Sequence, residues 1–446
     1  MENQPGPSAP SKPEPTVVIQ KPLYNSSISP GILAILSLLP CILSGAILGF
    51  TGVTLSELPI SYSNKTWFAS LAALGAAGGC LVCHSMINAF GPRGTTVLSH
   101  VVGIIGWILT ISSLTTVNFL IGRFLTGCFV GITSISVSAY CTECFPKRLS
   151  ARPVVYTALG VLSVYFVGSL LNYRQTALLA VVGTAVSFVL VRTYVPESPA
   201  WLESRGRMGD AEYSKLKLKI TETPAAVADS NDQPGLNFVR NLRQPNVYKP
   251  FMALCLHLTL QQLSGPLAVL SYAVDVVGDS GVRILNSYFI VIVLSAFMVM
   301  GALISTAMDH RESTTILSST GILISGAVIG SYNLIRRLVL NRFGAQLLSF
   351  VPLLGMLLLV TSCCVALVPT LPTNNTKGEH VALGFSYLVG FAVVKCYPYA
   401  HAYLGWWIFV FFAFMAALNI ITNVLLFSEQ KKKVQPTADI DTRPSV

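Results

Sequence analysis

The sequence alternates long runs of apolar residues with short polar segments, and this pattern predicts helices that cross a lipid bilayer. About 20 apolar residues in a helix span the hydrocarbon core of a membrane. We predict twelve such helices, at residues 31–53, 67–88, 95–113, 117–139, 153–173, 175–195, 250–274, 284–307, 314–335, 345–368, 381–397 and 403–427.

The composition excludes a soluble globular domain. Hydrophobic residues make up 52% of the 446 residues and charged residues only 11%, against about 25% charged residues in an average soluble protein. Because so few charges cannot cover a surface of this size, the apolar excess faces lipid. The net charge of +10 does not indicate nucleic-acid binding, because the basic residues lie in short segments between apolar runs. The bilayer is the predicted partner, and we infer no nucleic acid and no obligate protein partner.

The largest polar loop divides the predicted helices into two groups of six. It covers 196–249 and has room for short amphipathic helices. We predict six-helix bundles at 31–195 and 250–427, the architecture of transporters built from two parallel halves. Segment 1–30 is rich in proline and is predicted to be a disordered tail; its apolar run begins too late for a signal peptide. Residues 428–446 are predicted to form a second tail.

The basic residues predict the orientation in the membrane. An even number of spans places both termini on one side. With the termini in the cytoplasm, 20 of the 29 Lys and Arg residues fall in tails and cytoplasmic loops, three fall within spans and six face outward. This excess of positive charge predicts cytoplasmic termini. One predicted outer loop opposes the assignment, since it contains Arg336, Arg337 and Arg342.

Ten cysteines include two CxxC pairs, Cys80 with Cys83 and Cys141 with Cys144. In a soluble chain this spacing would suggest zinc. Here both pairs lie in or at the ends of apolar spans, where residues three apart share a helix face. Close packing of small buried residues is the favoured interpretation, and a thiolate site between the two pairs is the alternative. We predict no resident metal ion and no cofactor.

Four motifs resemble those of the sugar-porter family of the major facilitator superfamily. Residues 196–202 (PESPAWL) follow the sixth span and resemble PESPxWL. Residues 122–127 (GRFLTG) and 140–146 (YCTECFP) resemble GRxLxG and YxxExxP, and residues 261–265 match QQLSG in the seventh span. The resemblance is closest to facilitative glucose and insect trehalose transporters. It implies an all-α membrane protein of twelve transmembrane helices in two six-helix bundles, the major facilitator fold, and sugar transport by alternating access.

Two adjacent glutamines are the predicted substrate-binding residues. Gln261 and Gln262 offer donors and acceptors together, as an uncharged sugar rich in hydroxyls requires. Pro266 lacks an N–H and clashes with the carbonyl of Gln262, so beside Gly265 the helix is predicted to break and expose polar groups to a cavity. The alternative is that the amides only bridge helices. The resemblance adds Tyr272, further out on the same span, as part of an outer gate.

Charged residues near the membrane are predicted to form gating salt bridges. Arg123 lies within a span, where a charge is costly unless it is paired. The resemblance implies that Arg123, Glu143 and Glu197 form a cluster that closes the inner mouth in one state and breaks in the other. A permanent structural pair is the alternative. Asp309 with Arg311 is the predicted counterpart in the second half.

The predicted spans offer little for proton coupling or catalysis. The first six contain no Asp or Glu, and the later ones offer only Asp275, at the outer end of the seventh. Because a proton symporter needs a titratable group in its pathway, uniport down a gradient is favoured. No GxxxxGKS loop for nucleotide occurs, and no nucleophile–base set lies on a span. We therefore predict neither ATP-driven transport nor an enzyme.

The sequence departs from the family at several site positions. Leu267 stands where the family usually has asparagine, the tenth span lacks the tryptophan that would stack on sugar, and the fifth lacks a glutamine. Each missing hydrogen bond weakens binding by about 0.5–1.5 kcal/mol. Facilitative transport of a neutral sugar such as trehalose or a hexose is the leading hypothesis. A transporter-like sensor or receptor without flux, and a carrier of another small organic solute, stay open.

Asn64 begins a glycosylation sequon, Asn64-Lys65-Thr66, in the first predicted outer loop, so we predict a glycan there. The alternative is an unused site, because Thr66 borders the membrane. Sequons at Asn25 and Asn374 fall on the cytoplasmic side of the predicted topology. We predict a multi-pass protein of the plasma membrane, with a vesicular membrane as the alternative.

Overall fold

All regular secondary structure in the described part of the chain is helical. The computed structural model describes residues 29–112, 115–145, 153–220, 244–279, 285–308, 311–336, 350–365 and 378–434. Within these residues the α-helices are α1 (Pro30–Thr54), α2 (Tyr62–Ser112), α3 (Thr116–Cys144), α4 (Pro153–Leu170), α5 (Tyr173–Tyr194), α6 (Pro199–Ser204), α7 (Met208–Leu218), α8 (Pro245–Leu263), α9 (Pro266–Ser271), α10 (Ala273–Asp279), α11 (Ser287–Ala307), α12 (Arg311–Arg336), α13 (Phe350–Val365), α14 (Glu379–Leu404) and α15 (Trp407–Val434).

These helices supply the twelve crossings that the hydropathy pattern predicts. Nine of the described helices are long and apolar enough to cross a membrane, and two shorter apolar helices cover Phe251–Leu263 and Phe350–Cys364. Helix α2 contains two crossings, since its 51 residues would extend about 75 Å if straight. The all-α membrane fold predicted from the sequence is therefore confirmed.

Gly91 divides α2 into its two crossings. Its φ of 80° and ψ of 163° interrupt the helix, and residues that carry a β-carbon rarely adopt such a φ. Pro92 follows directly and begins the second crossing, where its missing N–H costs no helical hydrogen bond. On that crossing Leu98, Val101 and Ile105 are each at least 40% exposed and lie on one face. This apolar stripe faces lipid.

The first half is packed backbone against backbone. A β-carbon built on Gly75 of α2 would lie 2.1 Å from the carbonyl oxygen of Phe124 in α3, and one built on Gly127 of α3 would lie 2.2 Å from the carbonyl oxygen of Ala72. Only glycine permits so close an approach. On the same helix pair the buried Cys80 thiol donates to the carbonyl oxygen of Gly131, with 3.6 Å between the atoms, as the packing interpretation predicts.

The two halves meet along a few helix pairs. Within the first half α1 packs on α4, and α2 packs on α3 and α5. Within the second half α12 packs on α13 and α15, and α8 packs on α14 and α15. Between the halves α2 packs on α14, α4 on α11, and α1 on α9 and α10. The halves therefore enclose a central space that helices of both halves line.

Each half contains a buried histidine, and the two differ in their hydrogen bonds. His100 donates from Nδ1 to the carbonyl oxygen of Thr96, at 2.6 Å, and accepts from Ser187 through Nε2, at 2.9 Å. His257 donates from Nδ1 to the Oδ1 atom of Asn419, at 2.9 Å. Its Nε2 atom has no hydrogen-bond partner among the described residues. Only the first histidine is fully satisfied.

Candidate functional site

A cavity lies between the two halves, and both halves line it. It contains about 1220 Å³ of empty space, its open part included. Helices α1 and α4 line it from the first half, and α8–α11, α13 and α14 line it from the second. The lining residues are Leu48, Thr157, Val161, Tyr165, Leu258, Gln261, Gln262, Pro266, Leu267, Val269, Leu270, Ala273, Val276, Val277, Leu294, Ser295, Met298, Met356, Leu359, Val360, Cys363, Cys364, Leu383, Ser386 and Tyr387.

The break predicted in the seventh span is present beside this cavity. Helix α8 ends at Leu263, and α9 begins at Pro266. Gly265 between them has a φ of 85°, and a β-carbon built on it would lie 2.3 Å from the ring of Phe412. Both the backbone conformation and the neighbouring ring therefore require glycine. The break lies next to a cavity, which is where a membrane protein tolerates an interrupted helix.

Gln262 presents an unsatisfied acceptor at the cavity. Its Nε2 atom donates to the hydroxyl of Ser386 on α14, with 3.1 Å between the atoms. Its Oε1 atom is buried and has no hydrogen-bond partner in the described part of the chain. Gln261 also lines the cavity. A buried carbonyl oxygen without a partner is costly, and a hydroxyl group of a bound solute would satisfy it.

Two further hydroxyl groups of the lining are already occupied as donors. Ser295 donates to the carbonyl oxygen of Ile292 at 2.7 Å, and Thr157 donates to that of Pro153 at 3.0 Å. No Asp, Glu, Lys, Arg or His occurs among the residues that the structure places in the lining. The cavity is therefore uncharged, and its open acceptor lies where α8 meets α14.

The halves contact each other on the side of the cavity that we predict to be outside. The hydroxyl of Tyr165 on α4 donates to the carbonyl oxygen of Leu270 on α9, at 2.8 Å. Tyr272, the predicted outer gate, is buried next to this contact but lies within the second half. Its hydroxyl donates to the carbonyl oxygen of Val394 at 3.2 Å, and its ring stacks on Tyr397 at 5.4 Å. Tyr165 therefore makes a contact between the halves that the sequence did not predict.

A lysine inside the membrane forms a second contact between the halves. Lys395 of α14 donates from Nζ to the hydroxyl of Thr66 on α2, at 2.7 Å. Its ammonium lies 3.9 Å from the ring centroid of Trp67, a cation–π contact. Phe391 lies against the same indole at 6.1 Å. The signal in the sequence is a basic residue within an apolar span, where a charge is costly unless it has a partner.

Arg123 does not join the predicted inner cluster. It lies seven residues from the start of α3 and Glu143 lies at the end, so about 30 Å of helix separates them. The guanidinium donates to the carbonyl oxygen of Ile47 at 2.8 Å and lies over the rings of Phe50 and Phe68. The predicted pairing of Arg123 with Glu143 and Glu197 was therefore wrong. Aromatic faces and a backbone carbonyl stabilise this charge without a carboxylate.

Glu197 caps the second crossing of α2. Its carboxylate accepts from the backbone N–H groups of Arg93, at 2.9 Å, and Gly94, at 3.0 Å. A negative charge at a helix N-terminus is favourable. Burial raises the pKa of the Glu197 carboxyl, while these N–H groups and the Arg93 charge oppose the shift. A β-carbon built on Gly91 would lie 2.7 Å from the carboxyl carbon, so the glycine makes room for the cap.

Glu143 accepts a short hydrogen bond from the hydroxyl of Ser198, which follows Glu197 in the chain. The hydroxyl of Tyr140 donates to the carbonyl oxygen of Pro196 at 3.0 Å. The PESPAWL segment is thus held to α3 and α2 of its own half. The structure brings Glu143 and Glu197 to one region, as predicted, and a gating role for them stays a prediction.

Two predicted sites cannot be placed fully. Asp309 lies outside the described residues, and of Arg311 only the backbone is described. Asn64 lies in the first turn of α2 and is half-buried, whereas Thr66 of the same sequon is buried and donates to the carbonyl oxygen of Ser63 at 2.8 Å. Glycan attachment at Asn64 stays a prediction.

Comparison with known proteins identifies similar chains. A family model described as "Sugar (and other) transporter" matches residues 34–436. The facilitated trehalose transporter Tret1 of Drosophila mojavensis is 26% identical over 306 residues, 65% of this chain and 35% of that one. The sugar transporter ERD6-like 8 of Arabidopsis thaliana is 27% identical over 310 residues, 66% of each chain. The match thus spans about a third of the first relative and about two thirds of the second.

The fold has solved counterparts. The xylose transporter XylE from E. coli, in a partially occluded inward open conformation, superposes with a TM-score of 0.67 at 18% identity. The match covers 88% of this chain and 98% of that one. XylE bound to 6-bromo-6-deoxy-D-glucose, described as a major facilitator superfamily proton:xylose symporter, gives 0.68 at 18% identity. These likenesses establish the major facilitator fold.

Proposed function

Because the chain belongs to the sugar (and other) transporter family, we propose that it carries a neutral sugar, such as trehalose or a hexose, across a membrane by facilitative transport. Two bundles rocking about the central cavity would expose it to one side and then to the other. No enzymatic activity is part of this proposal, since the family transports its substrates.

The observation that carries the proposal is the unsatisfied oxygen of Gln262 in an uncharged cavity between two helical halves. A sugar bears no charge and donates hydrogen bonds through many hydroxyls. An uncharged site therefore avoids burying a lone charge, and the amide oxygen accepts one of those hydroxyls. If Gln262 only bridged helices, this buried oxygen would lack a hydrogen bond permanently and would destabilise the fold.

Uniport is supported by the chemistry of the lining. Coupling to protons requires a titratable side chain that the solute or the pathway can address. The described lining supplies amides, hydroxyls, thiols and apolar groups but no carboxylate and no imidazole. We propose that solute moves down its own gradient, unlike xylose in the structurally similar proton:xylose symporter XylE.

Flux through liposomes tests the proposal. Reconstituted protein should equilibrate labelled trehalose or glucose, at a rate unchanged by an imposed pH gradient. The double variant Gln261→Ala, Gln262→Ala should abolish that flux, whereas Gln244→Ala, on an exposed glutamine, should not. A rate that follows the pH gradient contradicts uniport. Binding without flux would identify the sensor alternative. If the protein neither bound nor transported any sugar, the proposal would be contradicted.

We also propose that both termini are cytoplasmic, that the plasma membrane is the site of action, and that Asn64 carries a glycan. The charge asymmetry of the loops supports this orientation, and the half-buried Asn64 lies in the first turn of α2, at its predicted outer end. Glycosidase treatment of protein from eukaryotic cells should increase its mobility in gel electrophoresis, and Asn64→Gln should abolish that increase. A glycan on Asn374 instead would reverse the orientation of the second half.

A further inference from the structure

The polar and apolar groups of the cavity are segregated. Gln261 and Gln262 on α8 and Ser386 and Tyr387 on α14 lie in the lining, and α8 packs directly on α14. The Gln262–Ser386 hydrogen bond joins the two helices at this place. We call these four residues the polar corner. It contains the buried acceptor that lacks a partner.

The walls formed by α11 and α13 are apolar. Helix α11 contributes Leu294 and Met298, and α13 contributes Met356, Leu359 and Val360. Ser295 of α11 also lines the cavity, but its hydroxyl proton is donated to a backbone carbonyl. We call these five apolar residues the apolar wall. A sugar hydroxyl placed against it would lose its hydrogen bonds to water and find no replacement.

The first half does not compensate for this wall. Its described contribution to the lining is Leu48, Val161, Thr157 and Tyr165. The hydroxyls of Thr157 and Tyr165 both donate to backbone carbonyls. A bare hexose therefore meets hydrogen-bonding groups mainly at the polar corner and leaves its other hydroxyls against hydrocarbon.

We propose that the preferred solute is amphiphilic: a sugar or polyol ring that binds the polar corner and carries an apolar group that packs on the apolar wall, as in an aryl or alkyl glycoside. This inference rests on the proposed function, because it names the substrate class of the same site. The ring hydroxyls satisfy Gln262, and an aryl group contacts the thioethers of Met298 and Met356, a favourable sulfur–aromatic arrangement.

Titration calorimetry tests the inference with phenyl β-D-glucoside, methyl β-D-glucoside, D-glucose and trehalose. The full chain is placed in nanodiscs, free of glycoside detergents, which belong to the proposed class. The phenyl glucoside should bind about ten- to a hundredfold more tightly than the methyl glucoside, because the ring removes more apolar surface from water. Empty nanodiscs correct for partitioning into lipid.

A pair of variants assigns the preference to the apolar wall. Met298→Gln places an amide of similar size there and should reduce the phenyl-to-methyl affinity ratio at least about fivefold. Met298→Leu keeps the wall apolar and should preserve the ratio. A melting temperature in nanodiscs within a few degrees of that of the parent protein shows that each variant is folded.

The outcomes separate this inference from the proposed function. Flux of glucose or trehalose with equal affinity for phenyl and methyl glucosides overturns the inference and leaves sugar transport standing. Tight binding and flux of the phenyl glucoside, with neither free sugar carried, supports the inference and overturns transport of free sugars. An affinity ratio that survives Met298→Gln also overturns the assignment to this wall.

Discussion

The two halves of the molecule use their buried polar groups differently. In the first half Arg123 and His100 bond to backbone and side-chain partners of their own half, between closely packed helices. Both halves also keep buried polar atoms without a partner among the described residues, such as Nε of Arg123 in the first half and Nε2 of His257 and Oε1 of Gln262 in the second. Of the residues with such atoms, only Gln262 lines the cavity. A polar group satisfied within its half stabilises that half. One left open beside a cavity is available to a solute.

This difference supports a proposed division of labour, in which the first half is held together by close helix packing and the second half supplies the groups that recognise solute. The helix break at Gly265 belongs to the second half, as does each amide of the described lining. Each half can therefore be altered separately, and stability and transport should respond independently.

The largest effect is expected from the close approach of α2 and α3. Gly127→Leu forces a side chain into the backbone of Ala72 and should destabilise the protein by about 3 kcal/mol or more, so that no monodisperse protein is recovered. Gly278→Leu is the matched control in the second half, since a β-carbon there comes no closer than 3.9 Å to a neighbour. Recovery of folded Gly127→Leu on size exclusion would contradict the rigid packing of the first half.

The next largest effect should fall on transport alone. Gln262→Leu removes the open acceptor at nearly constant volume and should lower the sugar flux roughly ten- to a hundredfold without lowering the melting temperature. Thr157→Val in the first half removes a hydroxyl that is already engaged, so flux should stay within about twofold. Comparable losses in both variants would show that the first half also recognises solute.

A moderate effect is expected at the contact between the halves. Lys395→Met removes the hydrogen bond to Thr66 and the charge over Trp67, worth about 1–2 kcal/mol together. Opening toward the predicted outside should become roughly five- to thirtyfold more populated. Labelling of Val276→Cys by an impermeant maleimide measures this opening, in a background where the exposed Cys396 is serine.

Lys395→Arg keeps the charge beside the indole and serves as the control for that measurement. Its labelling rate should resemble that of the parent protein. Equal labelling rates in all three proteins would show that Lys395 does not hold the halves together on the predicted outer side. The contact of Tyr165 with Leu270 would then account for that closure.

The smallest effect is expected at the helix cap. Glu197→Ala leaves the N–H groups of Arg93 and Gly94 without an acceptor and should lower stability by about 1–2 kcal/mol, measured as a lower melting temperature in nanodiscs. Flux at a temperature where the variant is folded should be unchanged. Lost flux with an unchanged melting temperature would support the gating role predicted for Glu197. It would also contradict the view that the buried polar groups of the first half serve only packing.

The sequence predicts features that depend on local chemistry. Apolar runs of bilayer length predict the crossings, and Pro266 beside Gly265 predicts the broken helix, because each signal lies within a few residues. The pairing of Arg123 was wrong because motif resemblance gives residues without their depth in the membrane. Arg123 and Glu143 are separated by twenty positions of one helix, about 30 Å, and this separation already excludes the pair.

Contacts between distant segments could not be predicted. Ser386 meets Gln262 across 124 residues, and Lys395 meets Thr66 across 329. Neither pair has a sequence pattern that specifies its partner. The side chains of Arg123, Tyr165 and Tyr272 each donate to a backbone carbonyl oxygen. Every residue carries such a carbonyl, so no motif identifies the partner.

The contact of Lys395 with Trp67 has a spectroscopic consequence. An ammonium fixed 3.9 Å from the indole centroid perturbs the excited state of that ring, and separating the halves would replace the charge with water. Among the five tryptophans of the chain, Trp67 is therefore a native optical probe. Its emission, isolated by changing the other indoles to phenylalanine, would report the motion in real time without an attached dye.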